Sequence, residues 1–85
     1  MTTPTIHANG TAKQDLMDAL LKAHESLTAS LKLLAETSPN RRDYYTQGEA
    51  AWADAVDAHH TRRTKLTEVK TELMELAMRI DEVTA

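Results

Sequence analysis

The chain has 85 residues, a formal net charge of -3 at pH 7 and no cysteine. This length allows one small domain, residues 1–85, and the lack of cysteine excludes a disulfide scaffold, a thiolate zinc site and a cysteine nucleophile. Two glycines, two prolines and 4% aromatic residues disfavour a β-rich fold. We therefore expect an all-α protein without a cofactor.

Charge and hydropathy also limit the partners and the compartment. A pI of about 5.7 gives no general attraction to nucleic acid or anionic lipid. No run of about 18 apolar residues is present to cross a membrane, and the polar N-terminus is unlike a signal peptide. The sequence therefore predicts a cytoplasmic protein that contacts neither membranes nor nucleic acid.

The first helix follows an N-terminal arm. Residues 1–10 lack periodicity and contain the Asn9–Gly10 turn pair, so we expect them to be extended. Thr11 begins a capping box. Apolar residues then recur at positions 16, 20, 23, 27, 31 and 34, the spacing of one helical face. Because the residue before Pro39 is disfavoured in a helix, the predicted bounds are 11–38.

A second, longer helix is predicted after a short connection. The connection is residues 39–46, and a capping box of Thr46 with Glu49 predicts a helix over 47–84 that tolerates Gly48 in its first turn. A regular heptad follows, with inner positions at steps of three and four. These inner positions are Trp52, Ala55, His59, Arg62, Leu66, Val69, Leu73, Leu76, Ile80 and Val83.

The short connection predicts an antiparallel helical hairpin. The pairs expected to meet across it are Leu34 with Trp52, Leu27 with His59, Leu20 with Leu66, and Leu16 with Val69. Helix two then extends beyond helix one by about three turns. The residues left without a helical partner are Leu73, Met74, Leu76, Ala77, Met78 and Ile80.

Two helices rarely make an adequate core by themselves. We therefore expect a homo-oligomer, a dimer or a higher assembly, packed as a helical bundle. The predicted interface residues are Leu66, Leu73, Leu76 and Ile80. In the alternative, Ile6 and the arm fold back over the exposed end of the hairpin.

Catalysis is not expected from this sequence. His24 and His59 face each other in the predicted hairpin, but neither a serine nor an acid is placed to complete a nucleophilic system. The adjacent His59 and His60 project about 100° apart, whereas histidines that share one metal are spaced as i and i+4. No glycine-rich phosphate loop is present. We predict neither an enzyme nor a metal site.

Two polar segments are candidates for a ligand site. The first precedes helix one, whose free N–H groups suit an anion, although a plain turn with an N-cap is the better explanation of this segment taken alone. The second is the loop, where two arginines offer donors to phosphate and two tyrosines offer faces to a base. In the structural alternative, Asp43 pairs with an arginine and the tyrosines pack on apolar neighbours. The candidate ligand-binding residues are Asn9, Thr11, Asn40, Arg41, Arg42, Tyr44, Tyr45 and Gln47.

A second candidate site consists of His59, Arg62 and Arg63. His59 and Arg62 occupy inner heptad positions, where a charge is costly unless it is paired or bound. One interpretation is a polar layer that sets the register, paired with Glu25 across the hairpin or with an acid of another subunit. The other is a basic pocket at a subunit interface.

Two motifs carry a resemblance to known proteins: His-x-Asn-Gly-Thr before helix one, and Pro-Asn-x-Arg-Asp-Tyr-Tyr-x-Gln-Gly before helix two. The matching residues are His7, Asn9, Gly10, Thr11, Pro39, Asn40, Arg42, Asp43, Tyr44, Tyr45, Gln47 and Gly48. The chain resembles small helical proteins of bacteriophages and prophages. Phage helical oligomers of similar size include sponges for the nucleotide or NAD-derived signals of bacterial immunity, in the CBASS and Thoeris systems. That likeness is one of size and architecture and implies no residue roles.

The expected function is therefore a non-enzymatic phage protein of the host cytoplasm that sequesters a small, cyclic nucleotide signal. The arm and the loop lie roughly 35 Å apart in one hairpin, so an antiparallel dimer is needed to bring the arm of one chain beside the loop of another. The ligand then binds at subunit interfaces. The alternative is an inhibitor or adaptor that engages a partner helix through the apolar stripe Leu73–Val83.

Overall fold

The structure, a computed structural model, describes residues 2–5 and 10–83, with the side chains of 2–5 and 12–82. Helix α1 spans Gly10–Ala35, a 3-10 helix spans Arg41–Asp43, and helix α2 spans Glu49–Val83. No β-strand occurs in these ranges and the two helices pack against each other, so the prediction of an all-α fold is confirmed. Neither helix in the described part of the chain combines the length and apolar content that a membrane crossing requires.

Helix α1 ends three residues earlier than predicted, at Ala35. The next three residues continue as tight turns, in which the N–H groups of 36, 37 and 38 donate to carbonyls three positions back. The hydroxyls of Thr37 and Ser38 also donate to the carbonyls of Leu34 and Ala35, at 2.7 and 2.6 Å. These bonds occupy carbonyls that the end of a helix leaves unpaired.

Helix α2 begins at Glu49, because Gly48 has a φ of 95°. That conformation is incompatible with a helix and favours glycine. The predicted capping box with Thr46, which required Gly48 inside the first turn, is therefore wrong. The loop between the helices covers residues 36–48 and is longer than the predicted connection of 39–46.

The helices pack antiparallel, in a register different from the one predicted. Lys13 Nζ lies 3.6 Å from a carboxylate oxygen of Asp81 near one end. Ser38 Oγ lies 3.1 Å from His59 Nε2 near the other. Leu20 packs with Ala77 and Ile80, and not with Leu66. The predicted pairs are thus displaced by about three helical turns.

The additional length of α2 lies at its N-terminal end, where the loop covers it. Ile80 is 0% exposed and Ala77 is 4% exposed, so the prediction that this end of α2 lacks a partner within the chain is wrong. Leu73 and Leu76 pack against the same core, as do Leu16 and Met17 of α1. Of the residues predicted to be uncovered, Met78 is 58% exposed and Met74 is half-buried.

The resulting molecule is a thin rod of 62 × 21 × 12 Å with a radius of gyration of 18.7 Å. A compact domain of this length has a radius of gyration of about 12 Å. Its exposed surface is 6308 Å², against about 5,000 Å² for a compact monomer of the same mass. Among the described residues the buried apolar core consists of Leu20, Ala77 and Ile80. The alternative in which the arm covers this end depends on Ile6, which lies outside the described residues.

Candidate functional site

The loop builds a site by turning back against the first turns of α2. Asn40 caps the 3-10 helix, because its side-chain oxygen accepts the backbone N–H of Arg42 at 3.1 Å. Backbone bonds from Asp43 to Asn40 and from Tyr44 to Arg41, at 2.9 and 3.0 Å, close the turn. Asn40 therefore has a structural role, and the turn it caps directs Arg41 and Tyr44 toward α2.

Arg41 makes two contacts with the start of α2. One guanidinium nitrogen donates to both carboxylate oxygens of Glu49, at 2.8 and 3.1 Å, and the guanidinium carbon lies 5.0 Å from the ring centroid of Trp52. The two charged side chains are 62% and 82% exposed. An exposed ion pair stabilises by up to about 1 kcal/mol, and an exposed cation–π contact by about 0.5–1 kcal/mol. Arg41 is thus positioned by weak contacts that a ligand can replace.

Aromatic rings complete this site. Tyr44 lies 6.1 Å from Trp52 between ring centroids, at an interplanar angle of 59°, while Tyr45 is 77% exposed. Together they border a cleft of about 210 Å³. We call it the loop cleft, and it is lined by Arg41, Tyr44, Tyr45, Gly48, Glu49 and Trp52.

The loop cleft has the chemistry to hold a flat, conjugated group. Its rings can stack on such a group, and Arg41 can hold an anionic substituent once it leaves Glu49. Its volume lies below the roughly 300–1,000 Å³ of pockets that enclose a whole small molecule. One chain therefore covers only part of a nucleotide-sized ligand.

The predicted ligand residues divide into four groups. Arg41, Tyr44 and Tyr45 line the loop cleft, and Asn40 supports it from behind. Arg42 and Gln47 are exposed and lie outside the lining. The expected contacts from Asn9 and from the side chain of Thr11 lie outside the described residues.

Sequence reasoning missed Glu49 as the partner of Arg41 and instead considered Asp43. Across the turn at Gly48, eight residues separate the two ends of this ion pair, a spacing without a helical periodicity to reveal it. The aromatic cluster was indicated more directly, because Tyr44, Tyr45 and Trp52 are the only aromatic residues of the chain and lie close together in sequence.

His59 is 9% exposed and bonds to Ser38, not to His24. The Ser38 hydroxyl donates to the carbonyl of Ala35 at 2.6 Å, so its oxygen accepts from the Nε2–H of His59. Ser38 follows the C-terminal end of α1, where the helix dipole disfavours a developing negative charge. This serine–histidine pair therefore fits a structural bond between helix and loop better than a nucleophile and its base.

The three residues of the second candidate site do not converge. His59 faces Ser38, while Arg62 is exposed and no ion pair joins it to Glu25 in the described part of the chain. Arg63 borders a shallow groove of about 450 Å³ on the outer face of α2. That groove is lined by His60, Arg63, Thr64, Thr67, Glu68, Thr71 and Glu72. Within the described ranges, no group of three or more histidine or carboxylate side chains could hold a metal ion.

Comparison with known proteins finds no family model, no curated protein and no solved structure that the chain matches. Functional inference therefore depends on the chemistry of the loop cleft and on the surfaces of the two helices.

Proposed function

We propose that the chain is a non-enzymatic binding protein whose loop cleft takes a small phosphorylated nucleotide. The observation that carries the proposal is the position of Arg41, 5.0 Å from the centroid of Trp52 and within a cleft bordered by two tyrosines. A base stacks on exposed aromatic rings in many single-strand and nucleotide sites. Arginine is the residue best suited to bind phosphate with two parallel bonds.

The full proposal is a phage-encoded homo-oligomer that sequesters a cyclic nucleotide immune signal in the host bacterial cytoplasm. The small volume of the loop cleft supports an oligomer, because a second chain is needed to enclose the rest of such a ligand. The excess of exposed surface over that of a compact monomer supports it independently. The phage part rests on the resemblance of the two sequence motifs, and the anti-defence part rests on a likeness of size and architecture to the phage sponges.

Calorimetry tests this function directly. Purified full-length chain is titrated with cyclic dinucleotides, cyclic trinucleotides and isomers of cyclic ADP-ribose, while the single tryptophan, Trp52, reports fluorescence changes in the loop cleft. We expect Tyr45→Ala, at a side chain 77% exposed, to weaken binding by about 5- to 100-fold without loss of helicity.

Two matched variants complete this experiment. Arg41→Ala should weaken binding and alter the tryptophan fluorescence, whereas Lys22→Ala, an equal charge change at an exposed position on α1, should leave the affinity unchanged. If none of these nucleotides binds to the folded chain, the proposed function is wrong. If Arg63→Ala weakens binding and Tyr45→Ala does not, the ligand occupies the outer groove of α2.

The alternative function is an interaction module that uses the stripe Leu73–Val83. Most of that stripe is covered within the chain. Ile80 and Ala77 are buried against α1, and Leu73 and Leu76 pack on the same core. A partner helix would have to displace α1 to reach Ala77 and Ile80. The loop cleft, which needs no such opening, is therefore the better candidate.

A further inference from the structure

One line of inner heptad positions on α2 is only partly covered by α1, because Leu76 packs against the hairpin core whereas Arg62 and Val69 do not. Arg62 is exposed and Val69, one heptad later, is 44% exposed, while Leu76, a further heptad on, is half-buried. In a hairpin whose helices cover each other's seam fully, these positions would be buried. Here α1 packs on the adjacent line, which includes Leu73, Ala77 and Ile80. We call the line through Arg62, Val69 and Leu76 the open seam.

Two opposite charges flank Val69 on one edge of the open seam. Lys65 precedes Val69 and Glu72 follows it, and both side chains are exposed. Lys65 and Glu72 lie at nearly equal distances from Val69, on the same edge of the helix. A helix of this kind is complementary to itself only when the second copy runs in the opposite direction.

We propose that α2 packs antiparallel against α2 of a second copy of this chain, about a two-fold axis that passes beside Val69. Lys65 then lies opposite the partner's Glu72, and the same contact repeats on the other side of the axis. Arg62 lies level with the partner's Leu76, and its alkyl stem can cover the part of Leu76 that α1 leaves exposed. A parallel pair would place Lys65 against the partner's Lys65, which like charges disfavour.

The length of α2 is sufficient for the interface that a stable dimer needs. A specific interface buries about 800 Å² on each partner, and α2 offers 35 residues of helix, about 52 Å in length. Burial on that scale would bring the 6308 Å² of each chain closer to the roughly 5,000 Å² of a compact monomer. The open seam also supplies the second pair of helices that a two-helix core lacks.

The dimer would bring the two ends of the hairpin together across the axis. In an antiparallel pair centred beside Val69, Asp81 of one copy lies level with Asp57 of the other, because both are equally distant from Val69 in sequence. Within each chain, Asp81 forms an ion pair with Lys13 near the start of α1. The start of the partner's α1 therefore comes level with the first turns of α2, beside the loop cleft. The completion of the loop cleft by this element rests on the proposed function, whereas the interface itself does not.

Sedimentation equilibrium with charge-reversal variants tests the interface. We expect the parent chain to be a dimer, and Lys65→Glu or Glu72→Lys to weaken dimerisation by about tenfold or more, because each change makes both symmetry-related contacts repulsive. An equimolar mixture of the two variants should recover a heterodimer, since every repulsive pair becomes attractive. Lys22→Glu, an equal charge change on the exposed face of α1, should leave the mass unchanged.

A single cysteine provides a second readout, because the parent chain contains none. Val69→Cys should form an intermolecular disulfide under mild oxidation, and Thr64→Cys, on the outer groove of α2, should not. The proposal is overturned if the parent chain is a monomer at about 100 µM. It is equally overturned if the mixed variants fail to recover a dimer, or if Leu21→Asp on α1 dissociates the dimer and Lys65→Glu does not.

These outcomes separate the interface from the proposed function. If the open seam forms the dimer but no nucleotide binds, the interface stands and the ligand proposal fails. If nucleotides bind in the loop cleft while Lys65→Glu leaves the mass of the parent unchanged, the ligand proposal stands and the interface is wrong.

Discussion

Replacing Ile80 with alanine tests the register of the hairpin most sharply. Ile80 is 0% exposed and packs with Leu20 and Ala77, so the substitution removes apolar contacts that are fully shielded from water. The lost transfer free energy plus the cavity term amounts to about 3 kcal/mol. For a domain of this size, that loss lowers Tm by about 15 °C.

Circular dichroism melts of the parent and the Ile80→Ala variant measure this loss. The matched control is Met78→Ala in the same turn of α2, which is 58% exposed and should change stability by less than about 1 kcal/mol. Melts at several protein concentrations separate this core contribution from that of an oligomer, because only association makes Tm depend on concentration. If Ile80→Ala and Met78→Ala lower Tm equally, Ile80 has no partner within the chain and the register described above is wrong.

Three further substitutions test the loop and its contact with α2. Gly48→Ala should lower the free energy of unfolding, measured by chemical denaturation, by about 1 kcal/mol, because the φ of 95° strains any other residue while the space around a new Cβ is open. An unchanged denaturation midpoint would contradict the positive φ. Ser38→Ala should lower the free energy of unfolding by about 1–2 kcal/mol, since the buried Nε2–H of His59 loses its acceptor. If Ser38→Ala lowers it equally in a His59→Leu background, the two side chains do not interact. Glu49→Gln should change stability by less than about 0.5 kcal/mol and remove whatever salt dependence the Arg41 pair contributes, so a large loss in thermal melts would contradict the exposed geometry.

The helices themselves follow from the sequence, but their register does not. The apolar spacing predicts two helices and a polar loop, and the observed bounds of α1, Gly10–Ala35, lie within three residues of that prediction. When two helices of unequal length pack together, the extra length of the longer helix can extend at either end. The heptad pattern of α2 is compatible with both arrangements. The choice depends on Gly48, whose positive φ moves the start of α2, and on how the loop folds against Trp52.

The residue types of the candidate site were predictable from the sequence, but their contacts were not. Aromatic residues and arginines close together in sequence indicate a surface that can stack on a base and bind phosphate, and four of these residues do line one cleft. Which arginine points inward depends on the cap that Asn40 places on the 3-10 helix. The pairing of Arg41 with Glu49 depends on the turn at Gly48. Such contacts arise from irregular backbone, which has no repeating pattern to extrapolate.

The two proposals are linked thermodynamically if the partner's α1 completes the loop cleft. A ligand that binds only the completed cleft stabilises the dimer by mass action, by about 2.7 kcal/mol at a concentration one hundred times its Kd. Linkage is reciprocal, so the factor by which the ligand tightens the dimer is also the factor by which dimerisation tightens the ligand. Lys65→Glu, several turns of α2 away from the loop cleft, should then weaken ligand binding through the dimer alone. A concentration of protein high enough to restore the Lys65→Glu dimer should restore the affinity as well, an outcome that a local effect of the substituted charge would not produce.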